Sequence, residues 1–149
     1  MKGLIKIPLT IAAIVILARI VLELVGAPTA ITNILGVTWL NLAVPVYLGF
    51  RLATDSGPSP FKELFALVLQ FTLYTRLMVM GTYVLAYGLD WNAFRFSVEG
   101  GGGVGHDLAL QGMFVTPLMN LVITVMGGTI IGMILGSVAL LIKRRNVAA

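Results

Sequence analysis

Residues 114–142, FVTPLMNLVITVMGGTIIGMILGSVALLI, run without a charged side chain. At 1.5 Å per residue a helix of that length spans about 44 Å, against a hydrocarbon core of roughly 30 Å for a bilayer. The stretch reads as a membrane-crossing helix with length to spare, and it decides the fold class of the chain. Within it Asn120, Thr124, Gly128, Gly132 and Gly136 recur at every fourth position. That spacing aligns them in one row along a helix, and small residues in such a row let a neighbouring backbone approach closely. The row predicts a docking groove, for a helix of this chain or of another subunit. Pro117 and the pair Gly127-Gly128 are where so long a helix is expected to bend.

Working outward, three further apolar segments are long enough to span, at about 20 residues per crossing. They cover about 7–25, 30–50 and 61–88. Lys2 and Lys6 ahead of an apolar run also fit a secretory leader, but no small-x-small cleavage site follows, so the first segment is read as a span. Gly26-Ala27-Pro28-Thr29 is a tight break, which makes the first two spans a hairpin. RLATDSGPSPFKE, 51–63, has the prolines, glycine and polar residues of a loop, and Ser59-Pro60 suits the N-cap and first turn of the next helix. Tyr83, Tyr87 and Trp91 are expected in an interfacial aromatic belt at the far end of the third span. The longest hydrophilic connection, 89–112, contains the run Gly100-Gly101-Gly102-Gly103 and then His106-Asp107.

The whole composition agrees. The chain has 149 residues, 58% hydrophobic and only 11% charged, with a mean hydropathy of +1.00, where soluble domains carry about 25% charged residues. The predicted architecture is all-α: one domain, 1–149, a polytopic bundle of four transmembrane helices in the cell membrane. Lys2, Lys6, Arg51, Lys62, Lys143, Arg144 and Arg145 gather at one side of the predicted topology, and Arg95 with Asp90, Glu99 and Asp107 at the other. Cytoplasmic ends are the ones enriched in Lys and Arg, so both termini and the loop 51–60 are predicted to be cytoplasmic and 89–112 extracytoplasmic. A net charge of +4 disposed in this way indicates topology, not a nucleic-acid surface.

Chemistry-bearing residues are few. The glycine run lacks the GxxxxGK[ST] pattern of a nucleotide cradle and is read as a flexible loop. His106 is the only histidine and there is no cysteine, so no metal or cofactor site and no catalytic constellation is predicted, and an enzyme is the least favoured class. What remains is a polar layer. Arg19 lies twelve residues along from Ile7 and Arg76 twelve along from Leu64, each a rise of about 18 Å. Asn41 and Thr129 fall near the same height on the other two spans. Glu23 is one turn beyond Arg19 on the same helix face. Pro45 has no N–H for the Asn41 carbonyl, which leaves a free acceptor in that layer. Two arginines against one glutamate leave a positive charge whose burial in a bilayer is costly, so a counter-charge is expected.

Two functions follow as expectations. The leading one is a non-catalytic accessory or assembly subunit that packs on other membrane helices, or on further copies of itself, through the glycine ridge. The alternative is a small transporter or binder of an anionic solute or lipid, with Arg19 and Arg76 reading the charge and Glu23 and Asn41 setting orientation. The partners expected are the lipid bilayer, other membrane subunits and an anionic lipid, with no nucleic acid.

Overall fold

The computed structural model describes residues 3–55, 59–91, 93–99, 103–104 and 108–148. His106, Asp107, Lys2 and most of the glycine run lie outside the described residues. Among those described, the regular structure is all helical: α1 (Lys6–Leu24), α2 (Thr29–Ile34), α3 (Thr38–Asp55), α4 (Pro60–Gly88) and α5 (Thr116–Ala148). A 3₁₀ turn, Phe94–Phe96, and a π-helical turn, Gln111–Val115, lie between α4 and α5. Four helices are long and apolar enough to cross a membrane, the short α2 joining α3 in the second of them.

α1 stops where its sequence says it should. Gly26 takes a φ of +73°, the Ala27 N–H bonds back to Leu22 O at 2.9 Å and the Gly26 N–H to Glu23 O at 3.3 Å. This is the left-handed glycine closure that satisfies the last carbonyls of a helix. Below, the end of the bundle where α1 and α4 finish is called the upper end.

The second span departs from expectation. In place of one helix over about 30–50, α2 ends after six residues and α3 begins at Thr38, running on to Asp55 inside the stretch expected to be loop. At the break Gly36 N bonds Asn33 O at 3.1 Å, tightening the last turn. A side chain at Gly36 would start 3.0 Å from that same oxygen and 3.6 Å from the Arg19 guanidinium. The break therefore sits against the α1 arginine. Pro45, inside α3, does not interrupt it.

α4 begins with Pro60 at its first position after Ser59, although the Ser59 hydroxyl makes no capping bond. Glu63 in the first turn suits the positive end of the helix dipole. Thr72 and Thr75 are buried within α4 because their hydroxyls donate to Val68 O and Phe71 O, at 2.8 and 2.7 Å. α5 runs unbroken through Gly127-Gly128; the adjustment comes earlier, in the π turn that leads into Pro117. That turn widens the backbone where Pro117 withholds a hydrogen bond.

α3, α4 and α5 form the core, with α5 packed on both partners and α1 laid mainly along α4. Leu48, Leu52, Leu64, Val68, Phe71 and Leu140 are completely enclosed. The glycine row is the reason α5 fits. A methyl at Gly128 would lie 2.9 Å from Thr72 Cγ2, at Gly132 2.7 Å from Val68 and 2.9 Å from Pro45, and at Gly136 2.8 Å from the Pro45 carbonyl. Pro45 thus lies along the row, its ring against Gly132 and its carbonyl oxygen against Gly136. Gly49 faces the same row, where a methyl would overlap the Gly136 carbonyl oxygen. The three glycines of the predicted docking ridge are filled from within the chain, by α3 and α4.

Tyr83 and Tyr87 face into the bundle, not outward from it. Both are buried, and Phe96 packs edge-on against them at 5.0 and 6.5 Å between ring centroids. The Tyr87 hydroxyl donates to Phe96 O at 2.9 Å or Val104 O at 2.8 Å and accepts the Val104 N–H at 2.7 Å. One phenol thus staples the connection between α4 and α5 to the bundle. Tyr87→Phe should cost about 1–3 kcal/mol by leaving those backbone groups short of a partner. Hydrogen exchange at the Val104 amide should quicken; unchanged exchange would show that the staple is not the phenol.

Candidate functional site

The upper end carries the charge. Arg19 Nε donates to Glu23 Oε1 at 2.8 Å, the one-turn pair its spacing predicts. The other carboxylate oxygen, Glu23 Oε2, lies 3.2 Å from Nη2 of Arg95, which arrives from the 3₁₀ turn after α4. The three side chains are largely buried, 7% exposed for Glu23, 17% for Arg19 and 15% for Arg95. At that burial, removing one partner strands a buried charge, which costs more than breaking a surface ion pair. Arg95 also stacks over the Phe96 ring at 4.4 Å and donates to Thr82 Oγ1 at 3.3 Å. Burial pushes its guanidinium below the ordinary arginine range, and Glu23 is the largest influence opposing that. Arg19 makes a long 3.5 Å contact to Asn33 Oδ1 on α2.

Arg95 was the residue missed by sequence reasoning, which left it in an outer loop. A signal was present: it is the single cation of that connection, and Glu23 ends the first span at the same end.

Arg76 stands apart from the clasp. It has no ion-pair partner among the described residues, and its Nε is buried without a hydrogen bond. It walls two cavities. One, of about 160 Å³, is lined by Arg19, Arg76, Arg95, Tyr83, Val37 and Thr38, so three guanidiniums share it. The other, of about 180 Å³, lies between α4 and α5 and is lined by Arg76, Tyr83, Asn120 and Thr124. At about 30 Å³ per water, each has room for five or six waters or a small anionic group. A third cavity, of about 390 Å³, opens at the upper end over Arg19, Glu23, Arg95, Thr29, Thr32 and Asn33.

Asn41 and Thr129 are placed deeper than Arg76. Pro45 meets Gly132 and Gly136, and Thr72 meets Gly128, so one turn along each helix puts Asn41 level with Gly128 and Arg76 a turn above it. Asn41 is 8% and Thr129 6% exposed, and their side-chain oxygens lack hydrogen-bond partners. The structure thus joins Arg19, Glu23 and Arg95 by ion pairs, sets Arg76 across a shared cavity from the two arginines, and leaves Asn41 and Thr129 on a lower level. Of the predicted ridge, Asn120 and Thr124 line the Arg76 cavity, while Gly128, Gly132 and Gly136 serve packing.

The arrangement supplies positive charge, hydrogen-bond donors and enclosed volume. It can hold an anion. Set against known proteins, the chain matches no protein-family model, no curated protein and no solved structure.

Proposed function

We propose that this chain is a multi-pass protein of the cell membrane that binds or moves an anionic solute or lipid through its arginine cluster. The segregation of Lys and Arg supports an orientation with both termini and the loop near 51–60 in the cytoplasm, so the arginine cluster faces the extracytoplasmic half. The observation that carries the reading is the convergence of Arg19, Arg76 and Arg95 on one small cavity, with Glu23 the single acid among the described residues that pairs with any of them, joining Arg19 and Arg95. Three positive charges against one negative leave an excess of two. In a low-dielectric setting such an excess is stabilised by a bound counter-charge.

The accessory-subunit reading keeps one support, because an acidic residue of a partner helix would also neutralise that excess. Its other support, an open glycine ridge, is weakened by Pro45, Val68 and Leu64 lying against Gly132 and Gly136.

Gentle extraction of the full chain from its native membrane, followed by identification of everything that stays bound, separates the two. An anionic small molecule or lipid at about one per chain is expected, and Arg76→Gln should still insert and fold yet retain roughly tenfold to a hundredfold less of it, the range for one charge-assisted hydrogen-bonding group. A stoichiometric set of other membrane proteins, with no anion and no effect of Arg76→Gln, would replace this reading with the accessory one.

A further inference from the structure

We infer that the anion is the phosphate-bearing headgroup of a membrane lipid, entering sideways between α4 and α5 and held by Arg76 and Asn120, while the Thr124 hydroxyl donates to the Asn120 carbonyl at the same edge. This deepens the anion-site reading and rests on it. Two routes lead to the cluster, and they differ in charge. From the upper end, an incoming anion first meets the cavity over Glu23, whose carboxylate lies at 2.8 and 3.2 Å from the two guanidiniums available there. That mouth presents an acid and cations already paired to it. It is a poor entrance for a soluble anion.

The α4–α5 cavity has the opposite character. Its cation, Arg76, has no acid partner among the described residues, and the Arg76 Nε is enclosed without a hydrogen bond. Asn120 is exposed at its edge, and Val79, Met80, Pro117 and Leu121 complete the wall. Beside that edge Met119 and Ile123 of α5 are each more than half exposed. A cation at the base, an amide at the rim and an apolar surround match an amphiphile with its head inside and its acyl chains along the helices. A free inorganic anion would gain nothing from that surround.

Height agrees with this assignment. α4 has 29 residues and is about 43 Å long, so several ångströms at each end exceed a hydrocarbon core of about 30 Å. Both cavities walled by Arg76 reach Tyr83, five residues and about 8 Å from the end of α4. The upper part of the site therefore falls close beneath the headgroup region of the extracytoplasmic leaflet. Arg76 itself stands twelve residues and about 18 Å from that end, roughly 10 Å beneath the hydrocarbon boundary, a gap that its long side chain shortens by reaching toward the headgroups. The π turn and Pro117, at the start of α5, shape the neighbouring backbone on this side.

The test uses the full chain reconstituted in phosphatidylcholine vesicles with or without phosphatidylglycerol, released into mild detergent and weighed by native mass spectrometry. One retained phosphatidylglycerol is expected, undisplaced by excess inorganic phosphate. Retention should fall roughly tenfold or more in Arg76→Gln and measurably in Asn120→Leu, and Arg76→Lys should restore most of it. Asn120→Leu changes a surface position and covers the case in which Arg76→Gln does not fold. If inorganic phosphate displaces the lipid, or raises the melting temperature equally in pure phosphatidylcholine, the ligand is a soluble anion; the lipid assignment fails and the anion site stands. If the parent, Arg76→Gln and Asn120→Leu chains retain equal lipid and phosphate has no effect, both fail.

Discussion

A Gly49→Ala chain is expected to melt roughly 6–12 °C below its parent. The added methyl would overlap the carbonyl oxygen of Gly136 and press on Ala139 at 3.1 Å. The first of those neighbours is helix backbone, which cannot rotate away as a side-chain tip can. Relief requires α3 and α5 to separate along the contact where Pro45 lies against Gly132 and Gly136. Overpacking of a close contact costs about 1–3 kcal/mol, and this case belongs at the upper end. At about 2–4 °C per kcal/mol for a chain of this size, the stated interval follows. Gly81→Ala is the control, since nothing lies within 4 Å of a methyl there. It should be neutral or stabilise α4 by up to about 1 kcal/mol through helix propensity. Equal melting temperatures for the two variants would mean that the α3–α5 contact is looser than described.

Glu23→Gln should act in two directions at once. Removing the carboxylate leaves Arg19 and Arg95 buried near one another with no acid between them, and breaking a buried pair from one side costs about 3–5 kcal/mol. Thermal stability should drop accordingly. Glu23→Gln combined with Arg95→Gln should recover part of the loss, because the second change removes one of the stranded charges. Ligand retention should move the other way. With the Glu23 charge gone from the cluster, the site becomes more positive and an anion is held more tightly. A residue that served stability alone would lower retention together with stability. If lipid retention in Glu23→Gln falls in step with its melting temperature, the carboxylate is not the group that tempers the site, and the anion reading loses its electrostatic basis.

Much of the architecture was legible in residues close together along the chain. The four apolar segments, the stop at Gly26 and the start of α4 at Pro60 follow from local hydropathy and turn chemistry. The Arg19–Glu23 pair is equally local, because residues four apart on a helix are neighbours wherever the helix ends up. The break at Gly36 was harder to read. Apolar residues continue on both sides of it, and hydropathy does not distinguish a continuous helix from one interrupted next to an arginine of another element.

The remaining differences are long-range. Tyr83 and Tyr87 have the chemistry of an interfacial belt, and only the path of the connection after α4 brings Phe96 over them and Val104 to the phenol. Arg95 reaches Glu23 for the same reason, across a sequence separation that carries no periodic signal. The glycine row could be recognised as a groove from its spacing, but the identity of the helix in the groove could not. Periodicity describes one face of one helix, and the choice of neighbour depends on the shape of every other face. The sequence by itself determined that four apolar segments are long enough to span, where α1 stops and α4 starts, and that more positive than negative charge lies within them. The tertiary structure alone decided that Pro45 and Val68 fill the ridge, that Arg95 joins the cluster, and that Arg76 is left with a cavity and no acid partner among the described residues, because each is a matter of contacts between elements whose energies no single stretch contains.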